Sequence, residues 1–489
     1  MKKINETIEK KTRPIKAIQF GEGNFLRAFI DWQLDIINEK TDFNGNVAII
    51  QPLERGMSDM INEQDGLYTT ILRGMKKGKP VEEYRKITSV DCCINPYHDF
   101  DKYMALSQLD TVKFVFSNTT EAGIAYDPQC KLEDQPQQSF PAKVTAFLYK
   151  RYRFFKGDES KGLIFIPCEL IAANGDTLKK YVLQHATDWN LEQSFIDWIQ
   201  NSCDFCNSLV DRIVPGYPRN EITAITEKIG YQDNLLDQAE VFLLWVIECH
   251  TKTYENLLPT KEAGLNVIWT NDMSFYRTRK VRILNGAHTL TVLAAHQYGL
   301  DTVEECTKDS VISQFMRKGI FEEIIPSMDG DEEALKEYAE NVLERFANPY
   351  VRHLLLSISL NSTSKFKTRD LPSLLNYREK EKTLPQHLVF SLASLISFYN
   401  GTEMRDGALI GKRGEDEYSI LDSPDVLEKF VTLNTMTGDK AHNLAHGVLS
   451  RSSWWGMDLT TIDGLETMVE TYLRNILTKG MVQALKEII

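Results

Sequence analysis

The spacing of apolar residues changes period several times along the first fifty positions. Ala17 to Phe20 is a short, mostly apolar run that stops at Gly21 and predicts a strand. From Asn24 onward Phe25, Phe29, Trp32 and Ile36 recur at helical spacing and predict a helix with one buried face. Asp42 to Asn46 is a polar turn containing a glycine, and Val47 to Ile50 is apolar and largely β-branched, the mark of a second strand. Strand, helix and strand together have the length of a nucleotide-binding crossover. Further strands are predicted at Tyr68–Leu72, Lys113–Phe116 and Leu163–Ile166. Ligands of open α/β sheets lie beyond the C-terminal ends of the strands, so the loops after Phe116 and Ile166 are candidate walls of a site. Past about residue 270 the helical period takes over, at 333–345, 388–399 and 465–478. Another helix begins at Ser423, with Pro424 in the first helical position, and Gly480 after Lys479 reads as a C-terminal stop. The pattern predicts an N-terminal α/β domain and a C-terminal helical domain, with the boundary near 260 to 275.

The length of 489 residues also favours two domains. The net charge of −13 argues against a nucleic-acid partner, which needs clustered cations, but leaves room for a local positive pocket that takes a small anion. The longest apolar run, Leu388 to Tyr399, is interrupted by serines and falls short of the ~18–20 residues of a membrane span. Met1 to Lys16 is polar and charged, so no secretory signal and no membrane partner are expected, and a cytoplasmic protein is. The eight cysteines are then expected to be free thiols. Cys203 and Cys206 form a lone CxxC, and His442 and His446 lack the glutamate of an HExxH helix, so no metal is expected.

Two stretches carry candidate chemistry. Gly21 and Gly23 follow the first strand, where glycines let backbone amides approach a pyrophosphate at a helix N-terminus. The third position of a GxGxxG turn holds Leu26, so the motif is incomplete. Arg27 faces the phosphates or is a surface residue of the helix. After the second strand, Glu54 would suit the ribose hydroxyls of NAD, and Arg55 the extra phosphate of NADP; the residues leave that choice open. The second stretch is Lys280-Val281-Arg282-Ile283-Leu284-Asn285-Gly286-Ala287-His288. Reducing a carbonyl without a metal needs a proton donor and hydrogen bonds to the oxygen that gains charge, and Lys280, Asn285 and His288 supply these groups. On an α-helix His288 would lie about 80° and Asn285 about 140° round from Lys280, over roughly 12 Å of axis. Acid–base work near neutrality asks for a lysine pKa well under the ordinary ~10.4, through burial or neighbouring cations; Arg277, Arg279 and Arg282 are near in sequence. The alternative is a plain amphipathic helix with Lys280 solvated, a break at Asn285-Gly286 and His288 in the core.

In order along the chain, Ile18 to Phe29, Phe116 to Gly123, Ile166 to Leu170, Leu209 to Ile213, the nonapeptide and Arg345-Phe346-Ala347-Asn348-Pro349 resemble the mannitol dehydrogenase family of zinc-independent long-chain dehydrogenases. The resemblance covers nearly the whole length. It implies a Rossmann-type NAD-binding domain over 1–270 and a mostly α-helical substrate and catalytic domain over 271–489, with the active site between them. It implies NAD as cofactor, bound by Ile18, Gln19, Phe20, Gly21, Glu22, Gly23, Asn24, Phe25, Leu26, Arg27, Asn118 and Thr119. It implies catalysis by Lys280, Asn285 and His288, and substrate contacts from Asp211 and Lys365. Several positions depart from polyol-oxidising members: Leu170 replaces an asparagine, Arg277 a glutamate, and Ser357 an arginine. Losing an acid and gaining cations favours a substrate with a carboxylate. Lys365, Lys367 and Arg369, alternating as on one side of a strand-like segment, are candidates to hold it, as are Arg352 and His353. The implied activity is reversible reduction of a small keto sugar acid, D-tagaturonate to D-altronate. The alternatives are D-fructuronate to D-mannonate, oxidation of a sugar alcohol, and a nucleotide-binding sensor without turnover. The expected assembly is a monomer or a small homo-oligomer.

Overall fold

The computed structural model describes residues 1–120, 122–249 and 254–489; Glu121 of the loop after Phe116 lies outside them. The chain forms two compact units, Met1–Gly74 with Val81–Met273, and Ser274–Ile489 with Met75–Pro80.

The first unit is built on a six-stranded sheet. Its spatial order is Val90–Ile94, Asn46–Ile50, Ile15–Phe20, Phe114–Ser117, Ile164–Pro167 and Asp204–Phe205. All neighbouring strands are parallel. The strand order reverses beside Ile15–Phe20, so the topological switch point lies between Phe20 and Ser117. The strands read as continuous apolar runs because both faces are covered. Ala17, Val47, Ile49, Phe114, Phe116, Ile164 and Ile166 enter one core with Phe29, Leu34 and Trp245. Their neighbours Ile18, Phe20, Ala48, Ile50, Val115 and Phe165 enter the other, with Phe147, Leu178 and Ile199 from helices Phe140–Phe154, Asn174–Asp188 and Gln193–Ser202. Two three-stranded sheets complete the unit: Asp237–Glu240 with Tyr68–Lys76 and Lys79–Ile87, and Val267–Thr270 with Leu244–Glu248 and Asn207–Asp211.

The helix after the glycine turn differs from its predicted single-faced form. It runs from Asn24 to Lys40, and every residue from Leu26 to Ile37 except Trp32 is buried. It is enclosed on nearly all sides, so its sequence carries little helical alternation. Residues Arg27–Asp31 are π-helical.

The second unit is mainly helical. Helices Glu332–Phe346, Gln386–Phe398, Pro424–Thr435 and Leu465–Lys479 fall where the apolar spacing predicts them. The middle of Gln386–Phe398 is all apolar or serine, and His387 to Phe398 is buried throughout. A small antiparallel sheet, Met404–Arg405, Ala408–Arg413 and Asp416–Ile420, was not visible in the apolar pattern. No helix among the described residues is long and apolar enough to cross a membrane.

Candidate active site

In the first unit the glycine turn meets the loop after Phe116. Gly21 N–H donates to Ile50 O at 3.0 Å, and Asn118 N–H donates to Phe20 O at 3.1 Å. Gly21 has φ +118°, and a Cβ there would stand 2.8 Å from Asn118 O, so only glycine fits. Gly23 is the N-cap of the following helix, and a Cβ on it would meet nothing within 4 Å. Open space over unpaired helix N–H groups fits a pyrophosphate. Leu26, in the third glycine position, is buried, and its Cδ1 packs 3.2 Å from the position of a Gly21 Cβ. The turn therefore keeps a tight first glycine while the third position fills the core.

Arg27 is not a surface residue. It is 1% exposed, and its guanidinium donates to Leu235 O and Asn24 Oδ1, both at 2.6 Å, and to Glu22 O at 3.2 Å. Asp237 lies 3.7 Å away, and Tyr68 Oη donates to Arg27 O and Asp31 Oδ2 at 2.9 Å. Burial pushes Asp31 up to about 8 and Asp237 up to about 7. Arg27 thus braces the turn from beneath through a buried ionic cluster. Glu54 and Arg55 are exposed on a loop pinned by Gln51 Nε2, which donates to Leu53 O and Glu54 O at 2.8 and 3.0 Å.

The side chains of Asn118 and Thr119 are held from the next strand. Asn118 Nδ2 donates to Cys168 O at 3.2 Å. Glu169 accepts from Thr119 N at 2.9 Å, from Thr119 Oγ1 at 3.0 Å and from Ser117 Oγ at 3.0 Å. Burial raises the Glu169 carboxyl above its ordinary range, and these donors pull it back. The only signal for Glu169 in the sequence is an acid two residues past a buried strand. Leu170 beside it is exposed. Asp211 ends strand Asn207–Asp211 and is buried. Next to it Arg212 lies 4.2 Å over the Trp32 ring, with burial lowering its pKa to about 9.

In the second unit the nonapeptide lies within one helical run, Ser274 to Tyr298, but Lys280–Asn285 is π-helical rather than α-helical. Gly286 N–H reaches back to Val281 O, five residues earlier. The wider turn brings residues five apart together as α-helix does residues four apart. This corrects the 140° separation expected between Lys280 and Asn285, and there is no break at Gly286. From Arg282 to Leu290 only Asn285 and His288 keep some exposure, and Lys280 is likewise half-buried, while the other residues of that stretch are packed away.

Gly286 permits a close approach from behind. A Cβ there would lie 2.9 Å from Oδ1 of Asp370, a fully buried carboxyl with no hydrogen-bond partner. Burial raises Asp370 well above the usual carboxylate range. Arg282 is not a solvated neighbour of Lys280: it is buried, donating to Ser373 Oγ at 2.6 Å and Ser327 Oγ at 3.3 Å.

The His288 ring stacks on Phe346 at 4.2 Å and meets His353 edge-on at 5.2 Å. Its Nε2 is buried without a hydrogen-bond partner. Burial, then His353, Arg369, Arg345 and Lys365, hold its pKa well below 6.5, so the ring is neutral and has one N–H to give. Lys365 and Arg369 lie on helix Ser362–Arg369, which corrects the strand-like reading of that segment. Lys365 and Arg369 are four apart and share a face, while Lys367 points elsewhere, with its Nζ 3.9 Å from the position of a Gly456 Cβ.

All eight cysteines are free. Among the described residues no group of three or more His, Cys, Asp or Glu is arranged to hold a metal ion.

Residues 15–258 match the mannitol dehydrogenase Rossmann domain, and residues 272–477 match the mannitol dehydrogenase C-terminal domain. The altronate oxidoreductase of Phocaeicola vulgatus is 45% identical over 490 residues, covering 100% of both chains. That of Bacillus subtilis is 45% identical over 489 residues, covering 100% of this chain and 98% of its own. Among solved structures, a D-sorbitol dehydrogenase in substrate-free form superposes with a TM-score of 0.76 at 19% identity, covering 99% of this chain and 100% of that one. The Pseudomonas fluorescens mannitol 2-dehydrogenase ternary complex with NAD and D-mannitol gives 0.63 at 18%, covering 97% and 94%. These two likenesses speak to the fold. With family domains matched over both units and full-length relatives at 45% identity, the chain belongs to the mannitol dehydrogenase family.

Proposed function

We propose that this chain catalyses the reversible reduction of D-tagaturonate to D-altronate with NADH, as a cytoplasmic enzyme of hexuronate breakdown. The choice of a sugar acid draws on the altronate oxidoreductases above. The observation that carries the chemistry is the set of three residues that keep some exposure, Lys280, Asn285 and His288, in an otherwise packed stretch, with a His288 Nε2 that is buried and unpartnered.

NADH, when bound, would supply the hydride that the carbonyl carbon accepts. As that carbon is reduced, its oxygen gains negative charge. Asn285 Nδ2 and a neutral His288 with its proton on Nε2 donate hydrogen bonds to the oxygen, and fixed donors of this kind contribute several kcal/mol in a site closed to water. Lys280 Nζ hands the oxygen a proton in reduction and takes it back in oxidation. Nothing in this division of labour calls for a metal. Asp211 and Lys365 are assigned to the substrate hydroxyls. In the first unit the run Ile18–Arg27 holds the dinucleotide: Gly21 and Gly23 open the approach to the helix N-terminus, Arg27 braces it, and Asn118 and Thr119 form the neighbouring wall.

The test is loss of the nicotinamide absorbance with purified protein and D-tagaturonate, D-fructuronate or D-fructose, each with NADH and with NADPH. Fastest turnover with tagaturonate and NADH is expected. Faster turnover of fructuronate would move the chain to the sister reaction, and cofactor binding without turnover of any ketone would make it a sensor.

A further inference from the structure

We propose that Arg369 is the residue that selects an anionic substrate, gripping the sugar-acid carboxylate while Lys365 beside it holds a neighbouring hydroxyl. This rests on the sugar-acid reading above and adds the group that recognises the acid.

Helix Ser362–Arg369 packs against the helix that carries His288, and Arg369 Nη1 donates to Thr289 Oγ1 at 3.3 Å. Thr289 is the residue after His288, so the guanidinium sits at a fixed offset from the oxyanion corner. One turn earlier, Lys365 Nζ donates to Ile358 O at 2.7 Å. Among the described residues neither cation has a carboxylate within ion-pair distance. An arginine carries five N–H donors and a lysine three, so donors remain on both. The nearest carboxyl in sequence, Asp370, is buried behind Gly286 and acts on Arg369 through space, as Asp422 does on Lys365, without a direct ion pair to either. Two cations on one helix face without a direct ion pair stand out in a chain of net charge −13. A neutral ketose offers them only hydroxyl acceptors, whereas a carboxylate matches the planar fork of an arginine with two parallel hydrogen bonds. Because the fork is anchored to Thr289, it also sets how far the carboxylate lies from the carbonyl being reduced.

The experiment compares wild type, Arg369→Met and Arg369→Lys on D-tagaturonate and on its neutral counterpart D-tagatose, with NADH. The ratio of kcat/KM for tagaturonate to that for tagatose should fall roughly 10- to 100-fold in Arg369→Met, mainly through KM, as expected for losing a charged hydrogen bond. Arg369→Lys should recover part of it. An unchanged ratio, or an equal loss on both ketones, overturns the proposal. Should the wild type not turn over tagaturonate, quenching of intrinsic fluorescence by D-altronate still separates the two ideas. Binding that Arg369→Met abolishes keeps the anchor and removes the reductase; binding that survives the substitution removes the anchor.

Discussion

His288 would ordinarily titrate near pH 6.5, but its position under Phe346 and beside three cations changes that. Folding lowers its pKa, so between pH 6.5 and its depressed value the unfolded chain binds a proton that the folded chain does not. Its contribution to stability is whole above pH 6.5 and declines as the pH falls below it. The ring therefore stays a neutral donor through the working range. An NMR titration of its ring protons should show no midpoint between pH 5.5 and 8; a midpoint near 6.5 would remove the neutral-donor role. Lys280 is assigned the proton. Lys280→Ala should lower kcat about 10²- to 10⁴-fold at neutral pH, with cofactor affinity retained. Wild-type turnover in that variant would take the acid–base role from Lys280.

At the scale of the element, the decisive feature is the π-helical turn Lys280–Asn285 inside a longer helix. Such turns cost hydrogen-bond geometry and recur at functional sites because they re-aim side chains without ending a helix. Inserting an alanine between Val281 and Arg282 should put Lys280 and Asn285 six apart and rotate Lys280 by about 100° away from Asn285 and His288. Turnover is expected to fall on the order of 10²-fold or more, since small misplacements of reacting groups are that costly. Far-UV circular dichroism and melting temperature separate this from unfolding. A lengthened chain that folds and keeps wild-type kcat would show that the bulge does not aim the lysine. A second π-helical segment, Arg27–Asp31, follows the glycine turn and carries the buried Arg27 and Asp31 inward.

At the scale of the molecule, buried acids in the first unit link stability to pH. Asp31 is raised to about 8 and Asp237 to about 7 by burial. Below about pH 4 each is protonated whether folded or unfolded. As the pH rises from there, the unfolded chain releases protons that the folded chain keeps, so the stability from these groups is lost progressively up to about pH 8. Asp31→Asn should flatten this part of the curve when melting temperature is followed from pH 4 to 8. An identical slope in the variant would mean that Asp31 does not stay protonated in the folded protein.

Much of this was legible in the order of residues. Continuous apolar runs of four or five positions gave the central strands, because a parallel sheet covered on both faces leaves no polar side to alternate with. The long helices of the second unit followed from their 3.6-residue period, and the chemistry of their side chains singled out Lys280, Asn285 and His288 as candidates. Residue order did not supply the facts that depend on neighbours distant in sequence. Arg27 looks like a surface residue until Leu235 and Asp237 close over it. Glu169 is one acid among many until Ser117 and Thr119 donate to it. The alternation of Lys365, Lys367 and Arg369 suggests a strand, yet packing on the His288 helix makes the segment helical and brings residues four apart onto one face. One-dimensional pattern records how a segment partitions between water and core. A bulge, a buried ion cluster or the pairing of two helices is set by contacts that exist only once the chain has closed on itself, and those contacts decided where the chemistry of this protein is aimed.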